Sequence, residues 1–563
     1  MCGILAVYGG AAARDRARIR EVLSRRLKHR GPDYRGCFAG EKAILCHERL
    51  VIVDLTCVQP IQGAREGVYV AHNGEIWNHV ALKEGPLSAY PYRTTCDSEA
   101  IVHCYEEFGT DFCNRLDGVF AFALVDVDRD EFMVARDPVG VKPLYYGVGA
   151  DGSYYFASEM KAIAEECAAG QLHAFPPGHY FTPKTQFVRY YEPLWREPDA
   201  CVADCDLTAV RDTLTRAVEK RLMSDVPLGV LLSGGLDSSL TSAIATRLKA
   251  QLGLPPLLSF SIGVDESAPD LVAARKVAQF LGTEHHEIHF TVEEGLEVLD
   301  RLVYHLESYD VTTVRASTPM YFLSRYIKEK GVSAVLSGEG ADEMLGGYLY
   351  FHNAPSDEEF QKETIERVFR LSTADLLRAD KSCMAHAIEV RVPILDKDFL
   401  DVIMSIHPKH KRAQNNPRKI EKFVLRKAFE DKLNPYLPDE ILWRQKEQFS
   451  DGVGYSWIEE LAAHAARQVT DAQMAGAKDR FPVNTPSTKE AYYIRALFHK
   501  HFPSEDAART VRKWIPKWQL SKDPSGRASA IHLSSVVKED DDKQIAPAAA
   551  DQRDCQTVAN GFY

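Results

Sequence analysis

One short apolar segment, followed at once by serine and glycine, restricts the fold of this chain more than any other feature. Residues 226–232 are typical of a buried strand, residues 233–239 read Ser-Gly-Gly-Leu-Asp-Ser-Ser, and residues 240–248 repeat apolar side chains at helical spacing. Glycine lets a backbone approach a phosphate, while serine hydroxyls and a helix N-terminus attract its charge. The pattern predicts a phosphate-binding loop that lacks the Gly-Lys-Ser/Thr of a Walker sequence. The alternative is a glycine-rich turn capped by serines.

The chain from about residue 206 onward continues to alternate strands and helices. Further strands are expected at residues 257–264, 286–290 and 332–336, and helices at residues 270–281, 294–306 and 319–330. Such alternation predicts an α/β fold in which helices cover both faces of a parallel sheet. Ligands of these sheets bind at the carboxyl ends of the strands. Because Ser233 and Ser337 both follow a strand, we expect them to line one crevice.

Acidic residues follow the second of these strand ends. Glu339 and Glu343 are one helical turn apart, with Asp342 between them. This cluster could bind magnesium or guide an amine nucleophile, and the alternative is a solvated acidic start of a helix. Asp237 could accept a magnesium ion in the same way. Lys446 could neutralise phosphate charge, although an isolated lysine in a loop is usually only solvated.

The first 200 or so residues follow a different pattern, in which short β-branched and aromatic runs are separated by turn residues. Strands are expected at residues 4–8, 43–46, 50–53, 67–71, 119–126 and 131–135, and helices at residues 17–29 and 98–108, the second capped by Asp97. This pattern predicts an α+β domain. Residues 190–206 are typical of a linker, and the composition after residue 521 predicts a mostly disordered tail. The expected divisions are therefore 1–205, 206–520 and 521–563.

Composition excludes several classes of function. Lys and Arg number 68 against 80 Asp and Glu, for a net charge of −12, so nucleic acid is a poor partner. No apolar run approaches the roughly 18 residues of a membrane helix, and no secretory signal is recognisable. Twelve cysteines without a dense framework fit a reducing compartment, so a cytoplasmic location is expected. Cys201 and Cys205 have ligand-like spacing but no second pair of ligands beside them.

The second residue is a cysteine, which becomes the terminal residue if the initiator methionine is removed. Its α-amine would then have a pKa of roughly 7.7–8.0 and could act as the general base for the thiol. A chance cysteine is the alternative for Cys2. Arg49 offers a planar fork to a carboxylate, Asn73 and Gly74 offer a pair of oxyanion donors, and Asp97 could hold an ammonium. Together they predict a pocket for a free amino acid with a nucleophile aimed at its side-chain amide.

These motifs also carry a resemblance to known families. MCGI, HRGPD, HERL, NGEI and CDSE resemble the class II glutamine amidotransferases, and SGGLDSS resembles the loop of ATP pyrophosphatases. With YDVTTVRASTPMY, LSGEGADE, EVRVPILD and WRQKEQFSDG, the chain is similar over about residues 1–530 to the glutamine-hydrolysing asparagine synthetases. The resemblance implies an α+β N-terminal-nucleophile hydrolase sandwich (αββα) followed by an α/β parallel-sheet ATP-pyrophosphatase domain.

The resemblance further implies two coupled reactions. Cys2 would form a glutamyl thioester and release ammonia, which would travel internally to a site where ATP and Mg²⁺ convert aspartate to β-aspartyl-AMP and pyrophosphate. The implied catalytic residues are Cys2, Asn73, Gly74 and Glu339, and the implied glutamine contacts are Arg49, Leu50, Val53, Asn73, Gly74, Glu75 and Asp97. The implied ATP and pyrophosphate contacts are Leu232, Ser233, Gly234, Gly235, Asp237, Ser238, Ser239, Ile262, Ser337, Gly338 and Lys446, with Asp237 and Asp342 as magnesium ligands.

Two other functions remain open at the level of sequence. A β-lactam-type synthetase would share both folds but would lack a working N-terminal cysteine, so Cys2, Arg49, Asn73 and Asp97 argue against it. A catalytically silent nucleotide sensor is disfavoured by the complete loop and acidic clusters. The expected partners are the small molecules glutamine, aspartate and ATP, without nucleic acid or membrane. A homodimer is an expectation by analogy with the family.

Overall fold

The computed structural model describes residues 2–446 and 452–518. Two six-stranded antiparallel sheets occupy the N-terminal region (residues 2–205), with strand orders β10-β8-β9-β1-β3-β2 and β12-β11-β7-β6-β5-β4. Their strands are β1 Gly3–Tyr8, β2 Tyr34–Ala39, β3 Ala43–Arg49, β4 Ile61–Gln62, β5 Val68–Ile76, β6 Gly118–Asp126, β7 Glu131–Arg136, β8 Tyr145–Val148, β9 Tyr154–Ala157, β10 Leu172–Ala174, β11 His179–Thr182 and β12 Gln186–Arg189.

Helices cover the outer faces of both sheets. The α-helices of this region are Gly10–Arg14, Arg16–Arg18, His79–Glu84 and Glu99–Phe108. Ile19–Leu23 is a π-helix. The 3₁₀-helices are Ser24–Leu27, Gly109–Arg115, Met160–Ala162, Leu194–Arg196 and Pro198–Ala200. Ile4, Leu45, Ala121 and Phe132 fill the space between the two sheets. The helix Glu99–Phe108 covers the outer face of the second sheet, and the turns of residues 10–27 cover the first. The predicted αββα sandwich is confirmed.

The C-terminal region (residues 206–518) contains the predicted parallel sheet. Its strand order is β15-β14-β13-β16-β17, and every neighbouring pair is parallel. Its strands are β13 Leu228–Leu231, β14 Leu258–Gly263, β15 Glu284–His289, β16 Ala334–Leu336 and β17 Glu389–Arg391. Because β13 and β16 are neighbours, Ser233 and Ser337 follow adjacent strand ends, as the sequence predicts. The α/β fold class is confirmed.

Helices surround this sheet. The α-helices are Leu207–Lys220, Leu236–Gln251, Pro269–Leu281, Val292–Leu306, Val311–Glu329, Ala341–Leu345, Asp357–Arg370, Asp375–Met384, Lys397–Ser405, Pro408–Lys411, Phe423–Ala428, Asp439–Leu442, Tyr455–Gln468, Asp471–Ala475, Ala477–Arg480, Lys489–His501 and Glu505–Arg509. Shorter turns are Leu349–Asn353, Leu371–Thr373, Pro393–Leu395 and Ala413–Asn415. Within the described ranges, no helix combines the length and apolar character needed to cross a membrane. The predicted tail, 521–563, lies outside the described residues.

The strand expected at residues 50–53 is wrong. The chain leaves β3 at Arg49 and turns back, so that the carbonyls of Val53, Asp54 and Cys57 accept hydrogen bonds from the Arg49 guanidinium. The Val53 bond is 3.2 Å long. A buried guanidinium must find acceptors for its donors, and this demand overrides the β propensity of the segment.

The helix expected from Pro319 begins eight residues earlier, at Val311. Asp310 caps it by accepting a hydrogen bond from the Thr313 amide at 2.9 Å. Pro319 therefore lies inside the helix, where it has no N–H to donate to the carbonyl four residues before it. That carbonyl, of Arg315, instead accepts from the Trp457 indole at 3.0 Å. A partner distant in sequence thus makes the proline tolerable.

Lys411 is a buried amine at the end of the short helix Pro408–Lys411. Its ammonium donates to the Ile403 carbonyl at 3.4 Å, and no carboxylate is among its hydrogen-bond partners in the described part of the chain. Burial lowers the pKa of Lys411 to about 7, because the apolar interior disfavours the charged form.

We expect Lys411→Met to raise the thermal unfolding midpoint most at or below neutral pH. The unfolded side chain has a pKa of roughly 10.4, so unfolding takes up a proton between a pH of about 7 and that value, and native stability rises with pH across this window. The gain from the substitution should therefore shrink as thermal melts move from about pH 7 to about pH 9. Lys409→Met, on the exposed side of the same helix, is the control. An equal gain at every pH would contradict the assignment.

Candidate active sites

Cys2 is buried at the start of β1, with only 6% of its surface exposed. Its amide donates to Asn73 Oδ1 at 2.7 Å, and its carbonyl accepts from Arg30 Nε at 3.0 Å. The thiol points to the Leu50 carbonyl at 3.9 Å. Burial raises the pKa of the Cys2 thiol, although the nearby Arg49 opposes the shift. A thiol in this environment needs a base before it can act as a nucleophile.

Asn73 and Gly74, on β5, meet the requirements of an oxyanion hole. The Asn73 side chain is fully buried, and its Nδ2 has no hydrogen-bond partner among the described residues, while its Oδ1 is taken by Cys2. Gly74 has a φ of +148°, and a Cβ there would lie 1.9 Å from the Val119 carbonyl oxygen. An unused buried donor is costly, so a donor left free beside a nucleophile fits an oxyanion formed during reaction.

The predicted glutamine-binding residues surround the same point. Leu50 and Val53 belong to the loop that folds over Arg49, which is itself buried. Asp97 is not the helix cap that the sequence predicts: Ser98 precedes the helix Glu99–Phe108, and the Asp97 carboxylate accepts from the Ile76 amide at 2.7 Å. Burial raises the pKa of Asp97. This hydrogen bond ties the carboxylate to the end of the strand that carries Asn73.

Glu75 faces the C-terminal region. Its Oε1 lies 3.3 Å from Arg391 Nη2, and its Oε2 has no hydrogen-bond partner among the described residues. Burial, with Glu389 and Asp97 nearby, raises the pKa of Glu75 well above its ordinary value. Arg391 ends β17 and has no local sequence signal that links it to the first 200 or so residues. The glutamine pocket therefore borders directly on the second sheet.

A single cavity at the carboxyl ends of β13, β14 and β16 collects most of the residues predicted to contact nucleotide. Its lining includes Leu232, Ser233, Gly235, Asp237, Ser238, Ile262, Ser337, Gly338, Glu339, Asp342 and Lys446. Gly234 and Ser239 lie behind this wall. A Cβ on Gly234 would come within 2.5 Å of Ala273 and Ala274, so this glycine permits the loop to pack against the next helix. Ser239 is fully buried inside its own helix.

The helix that follows the loop after β13 has an uncapped N-terminus. Ser233 Oγ lies 3.0 Å from Ser238 Oγ and accepts from the Gly235 amide at 3.3 Å. Gly235 occupies the N-cap of the helix Leu236–Gln251 without any side-chain cap. A Cβ on Gly338 would come 2.6 Å from the Ser238 amide, so two strand-end loops meet at this point. Hydroxyls, glycines and uncapped amides together suit a phosphate.

Two lysines neutralise the acidic residues of the cavity. Lys422 Nζ lies 2.5 Å from Asp237 Oδ2 and 2.7 Å from Asp342 Oδ1, and Lys446 Nζ lies 3.0 Å from Asp342 Oδ2. Although burial opposes ionisation, these two lysines lower the pKa of Asp342 to about 2. Asp237 Oδ1 has no hydrogen-bond partner among the described residues. Sequence reasoning missed Lys422, which is 185 residues from Asp237 and belongs to no recognisable motif.

Glu339 forms an ion pair with Arg378, another residue that sequence reasoning missed. Its Oε1 lies 2.9 Å from Arg378 Nη2, which also lies 2.9 Å from Asp375 Oδ1. Burial raises the pKa of Glu339, and Arg378 opposes the rise. Glu343 accepts from the Tyr348 hydroxyl at 2.5 Å, and this hydroxyl also lies 3.2 Å from Asp375 Oδ2. Of the two glutamates in the motif, only Glu339 lines the cavity.

Comparison with known proteins agrees with this two-site architecture. A family model described as glutamine amidotransferase domain matches residues 1–190, and a model described as asparagine synthase matches residues 209–366 and 353–522. Among solved structures, the allosteric regulatory enzyme of purine biosynthesis aligns with 51% of this chain and 80% of its own, at 17% identity and a TM-score of 0.30.

Curated relatives cover nearly the whole chain. A probable glutamine-hydrolyzing asparagine synthetase of Dictyostelium discoideum is 49% identical over 559 residues, which cover 95% of this chain and 100% of the relative. Glutamine-hydrolyzing asparagine synthetases 3 and 2 of Arabidopsis thaliana are also 49% identical and cover 95% and 98% of this chain, and 96% and 98% of their own lengths. The fold and sites define an amidotransferase joined to an ATP-dependent synthetase. The chain belongs to the glutamine-hydrolysing asparagine synthetases.

We expect Asn73→Ala to lower the kcat of glutamine hydrolysis by about 10²- to 10³-fold, the usual cost of removing one oxyanion donor. Asparagine formation from added ammonia should keep its wild-type rate, because the second cavity is unchanged. Release of glutamate and formation of asparagine, measured in parallel, check both statements. Asn78→Ala, outside the pocket, is the control. Equal loss of both activities would assign Asn73 a structural role.

Proposed function

We propose that this chain makes asparagine from aspartate and ATP with nitrogen from glutamine, using one site in each region. The observation that carries the proposal is the free Asn73 amide donor, buried directly beside Cys2. In the C-terminal region, the uncapped helix N-terminus at Gly235 supports a nucleotide site. We also propose that the domains divide at residues 205 and 206, where Asp206 caps the helix Leu207–Lys220. A cytoplasmic location and a homodimer stay predictions.

At the first site, the Cys2 sulfur attacks the side-chain amide carbon of glutamine. The carbon–nitrogen bond breaks, ammonia leaves, and water then hydrolyses the glutamyl thioester to glutamate. Asn73 Nδ2 and the Gly74 amide stabilise the oxyanion of each step, Arg49 binds the α-carboxylate, and Asp97 binds the ammonium. Because burial raises the pKa of the Cys2 thiol, a base is required. After loss of the initiator methionine, the α-amine of Cys2 itself supplies that base.

At the second site, Leu232 and Ile262 contact the nucleoside, with Ser337 and Gly338 on the facing loop. Residues 233–239 bind the β- and γ-phosphates, which leave as pyrophosphate. The β-carboxylate of aspartate attacks the α-phosphorus, and Lys446 neutralises charge that develops on the phosphates. The geometry of the cavity supports these assignments, because all of the proposed contact residues except Gly234 and Ser239 line it.

Magnesium fits the same cavity. Asp237 Oδ1 is a buried oxygen without a hydrogen-bond partner among the described residues, and Asp342 lies across Lys422 from it. One or two carboxylates together with substrate phosphates are the usual ligands of Mg²⁺. We propose that Asp237 and Asp342 hold the ion, which when bound neutralises the leaving pyrophosphate.

Ammonia from the first site displaces AMP from β-aspartyl-AMP at the second. Free ammonia is mostly protonated in water, so an internal route preserves its nucleophilicity. Glu339 is the acidic residue placed to take the proton that the attacking nitrogen loses, since it lines the cavity and is held by Arg378. Glu75 of the glutamine pocket contacts Arg391, the last residue of β17, so this pocket lies against the sheet that carries the second site, which supports an internal path between the regions.

Cys2→Ala should abolish asparagine formation from glutamine and leave the rate with ammonia unchanged, because it removes only the nucleophile of the first site. The two rates are measured with each nitrogen source, and AMP and pyrophosphate should appear in equal amounts with asparagine. Loss of both rates would contradict separate sites, and release of ADP instead of AMP would contradict adenylation.

Asp342→Asn should raise the Mg²⁺ concentration needed for half-maximal ammonia-dependent synthesis by about tenfold or more, since one anionic ligand is lost. Glutamine hydrolysis should not change. Glu343→Gln is a closely matched control, because this neighbouring carboxylate accepts from the Tyr348 hydroxyl and does not itself line the cavity. An unchanged magnesium requirement in Asp342→Asn would remove this residue from the metal site.

A further inference from the structure

Arg30 is a fully buried arginine between the two regions, with 0% of its surface exposed. Its Nε donates to the carbonyl oxygen of Cys2 at 3.0 Å. Its Nη1 donates to Glu159 Oε1 at 2.8 Å and to Asp380 Oδ1 at 2.7 Å. One guanidinium therefore connects the residue that carries the nucleophile to a carboxylate of the C-terminal region.

Asp380 makes no side-chain hydrogen bond to the described residues of its own region. It lies inside the helix Asp375–Met384, is only 3% exposed, and makes its one side-chain hydrogen bond, within the described ranges, to Arg30. A buried carboxylate is costly unless it is paired. Although burial opposes the charge, Asp380 and Glu159 raise the pKa of Arg30 above its ordinary value. The pair is thus a charged contact across the boundary between the regions.

We propose that Asp380, a residue of the synthetase region, is a positioning residue of the glutaminase. It acts through Arg30, which fixes the carbonyl of Cys2 while Asn73 fixes its amide. Both sides of the nucleophile's backbone are then held, so the direction of the thiol is set. The proposal rests on the function of Cys2 as nucleophile. A misplacement of about 1 Å at a reacting atom can cost on the order of 10²-fold in rate.

The helix that carries Asp380 also contacts the second site. Arg378, two residues earlier, pairs with Glu339 in the nucleotide cavity. Because successive residues of an α-helix are about 100° apart, these two side chains leave the helix on nearly opposite sides. The helix Asp375–Met384 therefore supports one charged residue of each site, and the glutaminase is completed only when the two regions are docked.

The test uses the full-length protein and the variant Asp380→Asn, which keeps the shape of the side chain and removes its charge. We expect kcat for glutamine hydrolysis to fall about 10- to 100-fold, with KM for glutamine unchanged, because Arg49 and Asp97 are untouched. Covalent labelling of Cys2 by a diazoketone analogue of glutamine should slow by the same factor. Ammonia-dependent synthesis should be retained. Equal loss of that activity would assign Asp380 a structural role and overturn the proposal.

Two further variants separate positioning from a general loosening of the boundary. Asp401→Asn removes another carboxylate of the C-terminal region, which accepts from the Trp195 indole at 2.8 Å, and should leave glutamine hydrolysis unchanged. Asp380→Glu retains the charge and should recover most of the lost rate. The same loss in Asp401→Asn, or no recovery in Asp380→Glu, would overturn the proposal.

A double-mutant cycle with Arg30→Lys tests whether Asp380 acts through Arg30. If it does, Asp380→Asn should cost little more once Arg30 has been changed, so the two effects should not add. Additive losses, or a wild-type rate in Asp380→Asn alone, would show that the contact does not position Cys2. Such a result would not affect the assignment of Cys2 as the nucleophile, because Cys2→Ala tests that assignment separately in the same assay.

Discussion

The arrangement of both sites depends on opposite charges buried between the two regions. Glu307 of the C-terminal region accepts hydrogen bonds from the amides of Met160 and Lys161 at 2.9 and 2.7 Å. Lys161 Nζ of the N-terminal region lies 3.1 Å from Glu307 Oε1, and Lys381, which pairs with Glu307 inside the C-terminal region, donates to the Tyr145 hydroxyl at 2.9 Å. Displacement of one region would break these contacts and would separate the buried Asp380 carboxylate from Arg30, at a cost of several kcal/mol. These contacts hold the two regions in their docked geometry and so fix Cys2 relative to the synthetase cavity.

Local sequence patterns were enough to predict the parts of the fold that short-range physics controls. Residues 233–239 follow a strand and open a helix as expected, because glycine and serine there serve the loop itself. The neighbouring positions of Ser233 and Ser337 followed from the rule that ligands bind at the ends of parallel strands. The pairing of Cys2 with Asn73 could be anticipated from their chemistry, because a nucleophile without oxyanion donors has little use.

Features that depend on distant partners could not be predicted in this way. The loop after β3 folds around Arg49, and the helix of Pro319 continues because Trp457 supplies the missing donor. Lys422 and Arg378 reach the cavity from segments without any motif, so only the folded chain shows which carboxylates they meet. In each case a side chain far away in sequence satisfies a buried polar group, and single-sequence patterns contain no record of that partner.

The charge balance of the synthetase cavity suggests how substrate binding assembles it. Two lysines, Lys422 and Lys446, are paired with two carboxylates, Asp237 and Asp342, so this group is close to neutral as it stands. A triphosphate would compete for both lysines, because phosphate oxygens are strong acceptors for ammonium groups. Each lysine that turns to phosphate releases a carboxylate, and the released carboxylates are the groups that the proposed mechanism assigns to Mg²⁺. Nucleotide and metal should therefore favour each other's binding. Once both are bound, the lysines pair with phosphate and the carboxylates pair with the ion, so no charge is left unpaired.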